Sequence, residues 1–321
     1  MNEQELQSFV CRMVHADGVI ATEPIQSLWS GYGQILRMSL RGDDVPSSVI
    51  VKHIAPPGFG VANPRGWSGD VSHARKLRSY EVETNWYRDW CHECNPRCRV
   101  PSCHAIESFA GGRVLVLEDL DAAGFPSRCG RLSDRQLHAC IRWLANFHAT
   151  FLGRVPTGLW ETGTYWHLQT RPEEWSAMQA GPLKNAAAKI DDRLSACRFQ
   201  TLVHGDAKVA NFCFGDHHDA VAAVDFQYVG GGCGMKDLAY LMGSCLSDEQ
   251  CDRREAECLD VYFGELHARL DPSIAEDLER EWRSLFPWAW ADFHRFLCGW
   301  CATHPKLTDY SRRMVDRVLG Y

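Results

Sequence analysis

The sequence predicts an α+β fold in two lobes, a small β-rich N-terminal lobe over residues 1–118 and a larger, mainly helical C-terminal lobe over 119–321. Three observations lead there. Short apolar and β-branched segments, Ile25–Leu40, Ser48–Ile54 and Arg113–Leu117, all fall before residue 118. From Ser133 onward apolar side chains recur at helical spacing instead. A polar, turn-rich run from Asp121 to Ser127 separates the two regimes and opens the second lobe.

Residues 3–16 form an amphipathic helix with Leu6, Phe9, Val10 and Met13 on one face. Ile25–Leu40 reads as strand, turn, strand, the turn being Leu28-Trp29-Ser30-Gly31-Tyr32-Gly33-Gln34. Such a turn brings backbone amides close to a phosphate because glycine offers no side chain in the way, so Ser30, Gly31 and Gly33 are candidates for nucleotide contact; a plain turn fits the same residues. Ser48–Ile54 is a strand with Lys52 near its end. Residues 55–73 are rich in Pro, Gly and Ser and read as a loop, and the next helix, about 74–91, carries Glu81 and Glu83. Arg113–Leu117 is a buried strand ending at Glu118-Asp119-Leu120. Ser133 with Gln136 is a capping-box signature, followed by Leu137, Ile141, Leu144, Ala145 and His148 on one face, where His148 reads as a core histidine. Near the end, Trp282, Trp290, Phe293, Phe296 and Trp300 read foremost as core, although rings with Asp292 nearby would also suit a quaternary ammonium.

The chemistry is concentrated in His204-Gly205-Asp206-Ala207-Lys208-Val209-Ala210-Asn211, followed by Asp225-Phe226-Gln227. Phosphoryl transfer needs a carboxylate to receive or orient the proton of an attacking hydroxyl, and oxygen ligands to hold Mg²⁺ against the phosphates. Asp206 suits the first task; Asn211 and Asp225 suit the second. The spacing between them is that of a β-hairpin, with strands at 212–214 and 220–224 and a turn at 215–219, which brings Asp225 back beside Asn211. A metal-free loop held by an Asp–Asn hydrogen bond is the plain alternative.

This pattern resembles that of the aminoglycoside phosphotransferase and choline kinase superfamily, and within it the choline kinase-like and ecdysteroid kinase-like small-molecule kinases. Leu115–Leu120, Leu144–Ala149 and Asp237–Leu241 extend the resemblance in the family's order over roughly residues 25–245. It implies a protein kinase-like two-lobed fold and transfer of the γ-phosphoryl group of ATP, with Mg²⁺, to a hydroxyl of a small molecule such as a choline-like amino alcohol or an aminoglycoside. It further implies Asp206 as catalytic base, Asn211 and Asp225 as metal ligands, and Lys52 as the strand lysine on the α- and β-phosphates. Glu83, three residues before Trp86-Tyr87, would be its helix partner, with Glu81 in reserve. Glu118 and Leu120 would mark the hinge whose backbone meets adenine, and Asp237 would support the loop of Asp206 or cap its own helix. Lys208 stands where related protein kinases place a γ-phosphate lysine and departs from the apolar or aromatic residue typical of ecdysteroid kinase-like proteins.

Composition narrows the alternatives. With 321 residues, 45% apolar, 23% charged and a net charge of −7, the chain buries a sizeable core and lacks the basic balance of a general nucleic-acid binder. No apolar run approaches a membrane span, and Met1-Asn2-Glu3-Gln4-Glu5 lacks the basic start of a secretory signal, so a cytoplasmic location is expected. Fifteen cysteines then read as reduced thiols; Cys91, His92, Cys94, Cys98, Cys103 and His104 are dense enough for zinc but irregularly spaced. No Ala-Pro-Glu segment follows Asp225-Phe226-Gln227, which disfavours a protein Ser/Thr kinase. A non-catalytic nucleotide-binding scaffold would typically lack one of Lys52, Asp206, Asn211 and Asp225, all present here.

Overall fold

The computed structural model describes residues 1–28, 31–56, 70–109, 111–216 and 219–320. The chain divides into two compact units, Met1–Glu93 with Val100–Ser127, and Cys94–Arg99 with Arg128–Tyr321. The first unit contains α1 (Glu3–Val14), β1 (Gly18–Ser27), β2 (Gly33–Arg41), β3 (Ser48–Ile54), α2 (Asp70–Asp89), β4 (Cys103–Phe109) and β5 (Gly112–Glu118). Its strands form one antiparallel sheet in the order β1-β2-β3-β5-β4. Helix α1 starts at a capping box between Asn2 and Glu5 and lays Leu6, Phe9, Val10 and Val14 against Met38, Val49, Val51, Val114 and Val116. Burying side chains of this size stabilises by about 1.5–3 kcal/mol each.

The sheet is where sequence and structure differ most. β1 begins at Gly18, seven residues before the predicted strand, and β4 was not predicted at all. Both lie at sheet edges and alternate weakly: Ile20 is 67% exposed, and Cys-His-Ala-Ile-Glu-Ser-Phe shows no clean apolar face. Helix α2 starts at Asp70, earlier than expected, so the last residues of the predicted loop are helical, while residues 57–69 of that loop lie outside those described.

The second unit contains α3 (Asp134–Thr150), the short helices α4 (Pro172–Ala177), α5 (Pro182–Asn185) and α6 (Ala187–Ser195), strands β6 (Thr201–Val203), β7 (Phe212–Phe214), β8 (Val221–Ala223) and β9 (Gly230–Gly232), then α7 (Met235–Cys245), α8 (Asp248–His267), α9 (Pro272–Trp300) and α10 (Asp309–Leu319). The α+β class expected from the sequence is therefore observed. Capping boxes at Ser133/Gln136, Ser247/Gln250 and Thr308/Ser311 fix the starts of α3, α8 and α10. The aromatic face of α9 is core at Trp282, Trp290, Phe293 and Phe296, each no more than 3% exposed, whereas Trp300 at the helix end is 42% exposed and departs from the expected core role. Asp292 beside them is fully buried, with Arg295 Nη2 at 2.7 Å, Lys236 Nζ at 3.4 Å and Trp166 Nε1 at 3.1 Å, so its charge is answered from within the protein.

All fifteen cysteines are free thiols. Cys140, Cys213, Cys233 and Cys258 are enclosed completely, and burial pushes the thiols of Cys245, Cys251 and Cys258 up to about 12. The cysteine-rich stretch spreads over three local elements, Cys91 after α2, Cys98 ending a short turn and Cys103 opening β4, with Cys91 near Cys103 and Cys94 near Cys98. Among the described residues no three His, Cys, Asp or Glu side chains gather as a metal site, and no helix is long and apolar enough to cross a membrane.

Candidate active site

In the first unit, strand alternation sets Val49 and Val51 towards the α1 core and Lys52 towards the opposite face, with Lys52 paired across the sheet to Ile35 and Leu115. There Lys52 Nζ meets Glu83 Oε2 at 2.6 Å, both side chains at most 5% exposed. Two charges are removed from water together, an arrangement that holds only while both partners are present. Glu81 turns outward and pairs with Arg78 at 2.9 Å. Of the predicted turn, Trp29 and Ser30 lie outside the described residues. Gly31 (φ 75°) borders open space, whereas a Cβ on Gly33 (φ 126°) would lie 2.0 Å from the His53 carbonyl oxygen, so tight strand packing already demands that glycine.

Glu118 receives Ser102 N on Oε2 at 2.9 Å, and the Leu120 carbonyl accepts Phe125 N at 2.8 Å. Between them, Asp119 has a role the sequence did not reveal. Its carboxylate accepts Arg37 Nε at 2.6 Å and Ser48 Oγ at 2.7 Å, fastening the segment after β5 to β2 and β3. Burial would raise the Asp119 pKa, but Arg37 and Ser48 outweigh it and hold the carboxyl below its usual value.

In the second unit, Asp206, Lys208 and Asn211 occupy the connection from β6 to β7. β6 pairs with β9, β7 pairs with β8, and Val224 N donates to the Asn211 carbonyl at 3.0 Å. The hairpin thus returns the chain beside Asn211 immediately before Asp225, although residues 217 and 218 of its turn lie outside the described ones. Asn211 Nδ2 donates to the Asp206 carbonyl at 2.8 Å and to its Oδ2 at 3.1 Å; Lys208 Nζ reaches the same Oδ2 at 2.7 Å. Among the described residues no ordinary hydrogen bond reaches the buried Asp206 Oδ1, although Tyr240 stands close to the carboxylate. Asp225 sits in the left-handed region (φ 71°), which aspartate tolerates better than most residues, and Gln227 Nε2 donates to its Oδ1 at 2.9 Å.

His204 joins the two motif segments. Its Nε2 lies 3.0 Å from the Val224 carbonyl, which only accepts, so Nε2 carries the proton and Nδ1 accepts Asp206 N at 3.2 Å. Its ring packs on Phe226 at 4.6 Å, and Trp143 of α3 closes the other side edge-on. Gly205 (φ 78°) allows the chain to turn there, since a Cβ would fall 2.1 Å from the Tyr228 carbonyl oxygen.

Asp237, in the first turn of α7, accepts His204 N at 2.5 Å on Oδ2 and Gly205 N at 2.9 Å on Oδ1. The cap position of that helix is Gly234, so Asp237 supports the loop and is not an N-cap. His148 in turn reaches Asp237 Oδ2 at 3.1 Å through Nε2 and Tyr262 Oη at 2.7 Å through Nδ1. The histidine expected in the core is there, fully buried, and it anchors the carboxylate that holds the loop.

Burial raises the pKa of Asp206 most; Lys208 opposes it, Asp225 reinforces it, and the net position is above the ordinary value. Burial depresses Lys208, but Asp206 and then Asp225 outweigh that effect and raise it. Removing the lysine charge takes away the strongest influence that lowers Asp206, so Lys208→Met is expected to move the acid limb of the kcat/KM profile to higher pH. An unmoved limb would show that Asp206 does not govern that limb.

A ring cluster stands beside this loop, and of its members only Phe293 belongs to the aromatic run noted in the sequence. Tyr165 Oη meets Tyr240 Oη at 3.1 Å, Phe293 lies 5.0 Å from Tyr240, and Lys306 Nζ stands 4.7 Å from the centre of the Tyr240 ring. These residues come from four separated stretches, and no local spacing links them.

A sequence model of the ecdysteroid kinase-like family matches residues 168–272, the segment that holds the Asp206 loop, the hairpin and Asp237. No curated protein matches the chain in sequence. Among solved structures it is similar to a microcompartment-associated aminopropanol kinase, at 14% identity and a TM-score of 0.50, covering 99% of this chain and 95% of that one. An aminoglycoside phosphotransferase from Streptomyces rimosus, in complex with ADP and streptomycin, gives 14% identity and 0.51 over 89% of this chain and 99% of that one. A macrolide 2'-phosphotransferase from Brachybacterium faecium gives 16% and 0.51 over 98% of each. The fold is the protein kinase-like one of small-molecule kinases. The expected resemblance to ecdysteroid kinase-like proteins is found in sequence over residues 168–272, and the likeness to the solved phosphotransferases is one of fold.

Proposed function

We propose that this chain is an ATP- and Mg²⁺-dependent phosphotransferase acting on a hydroxyl of a small molecule. The observation that carries the reading is the convergence of Asp206, Lys208, Asn211 and the start of the Asp225 segment through one hairpin. Asn211 and Asp225 present hard oxygen donors of the kind Mg²⁺ takes alongside phosphate and water. When bound, the ion would neutralise charge on the transferring group.

Asp206 would accept the hydroxyl proton on its buried Oδ1 as the hydroxyl oxygen bonds to the γ-phosphorus. The bond from that phosphorus to the bridging oxygen breaks, and ADP leaves with the electron pair. Lys208, on the other oxygen of the same carboxylate, would steady the phosphoryl charge, and Lys52, oriented by Glu83, would grip the α- and β-phosphates. Ser30, Gly31, Gly33, Glu118 and Leu120 are proposed nucleotide contacts. Fifteen free thiols suit a reducing compartment, and we place the reaction in the cytosol.

Only Gln227 to Gly234, including β9, separates Asp225-Phe226 from α7, which leaves little room for a segment that would dock a peptide. This favours a small acceptor over a protein. The test is ADP release from Mg²⁺-ATP across hydroxylated small molecules. Asp225→Ala is expected to weaken Mg²⁺-ATP binding at least about tenfold, roughly 1.4 kcal/mol, with little change in metal-free ATP binding. Unchanged metal dependence in titration calorimetry would remove Asp225 as a ligand, and equal stabilisation of the wild type by ATP without Mg²⁺ would favour a scaffold.

A further inference from the structure

We propose that Lys306 recognises the acceptor and that the acceptor carries an acidic group near its reactive hydroxyl; this rests on the phosphotransfer reading. Lys306 lies between α9 and α10, on the side of the second unit where Tyr240 and Tyr165 approach Asp206. Its Nζ is 4.7 Å from the Tyr240 ring centre and 5.7 Å from that of Phe293. The ring faces that would hold a cationic acceptor by cation–π attraction are therefore taken by a cation of the protein itself.

Its neighbours make the contrast. Lys236 and Arg295 share Asp292, Arg171 has Glu174, and Lys208 has Asp206. Lys306 is half-buried, yet among the described residues no carboxylate lies within ion-pair distance of it. The loop that carries it is fixed, with Lys306 N donating to His304 Nδ1 at 3.2 Å and the capping box of α10 starting at Thr308. A half-buried ammonium held in place with no carboxylate in reach presents its charge to an anionic ligand. Burial pushes it down to about 8; Asp206 resists and Lys208 adds to the fall. With Lys208 already answered by Asp206, the unanswered charge here is that of Lys306, so amino alcohols and aminoglycosides fit less well than hydroxy acids.

The test uses the full chain with Mg²⁺-ADP and follows acetylation of Lys306 by acetic anhydride in mass spectrometry. D-Glycerate and D-gluconate are expected to slow labelling at least about fivefold, whereas glycerol and choline leave it unchanged. Protection by choline equal to that by the acids, or none by either acid, overturns the proposal. In parallel, Lys306→Met is expected to raise KM for the acids with Mg²⁺-ATP binding unchanged, and Lys306→Glu to reverse the order of acids and amino alcohols in ADP release. An order that neither variant alters also overturns it. Absence of ADP release with every compound counts against phosphotransfer itself, while the labelling pattern still decides what Lys306 recognises.

Discussion

Asp206→Asn is expected to lower phosphoryl transfer by about 10²–10⁴-fold while Mg²⁺-ATP affinity changes far less. The asparagine keeps the shape of the side chain, and the loop stays anchored by Asp237 on His204 N and Gly205 N. What disappears is the proposed acceptor for the hydroxyl proton, the buried Oδ1. Steady-state ADP release set beside calorimetric ATP binding separates the two effects. Wild-type turnover in the variant would remove Asp206 as the base.

Asp292→Ala is expected to destabilise the second unit by about 3–5 kcal/mol, because it strands Lys236 and Arg295 as unpaired buried charges. For a unit of this size that lowers the unfolding midpoint by roughly 6–20 °C. Burial would raise the Asp292 pKa, yet Lys236 and Arg295 hold it below the ordinary value. A carboxyl whose pKa is depressed by folding contributes stability above its unfolded pKa, about 3.9, and loses it as pH falls through the folded one. The wild type therefore carries an acid-unfolding component that the alanine variant lacks. A variant of unchanged midpoint that lost only affinity for choline would instead make Asp292 a ligand residue.

Much of this was legible in the chain because the signals are local. The period of the α1 face, the capping box at Ser133 and the hairpin between Asn211 and Asp225 each depend on residues a few positions apart, and each is found in the structure. Other features are set by distant partners. The choice of Glu83 over Glu81 depends on which side of α2 faces β3, and both carboxylates look alike in sequence. His148 reads as core from its spacing alone; that it orients Asp237, 89 positions away, comes only from how α3 packs. The strand missed at 103–109 pairs on one side only, so it lacks the apolar alternation of a strand buried between two neighbours. Lys306 is invisible for the same reason: the Tyr240 and Phe293 rings around it come from distant stretches of the chain.

The enclosed cysteines also supply a built-in clock. A thiol out of reach of solvent reacts with an alkylating reagent only in molecules that have opened around it. Cys213 lies on β7 of the hairpin behind Asn211, Cys140 on α3, and Cys258 on α8. Their separate alkylation rates would time how often each of these elements comes apart at rest, and a ligand that tightens the Asp206 loop would slow Cys213 without touching Cys258.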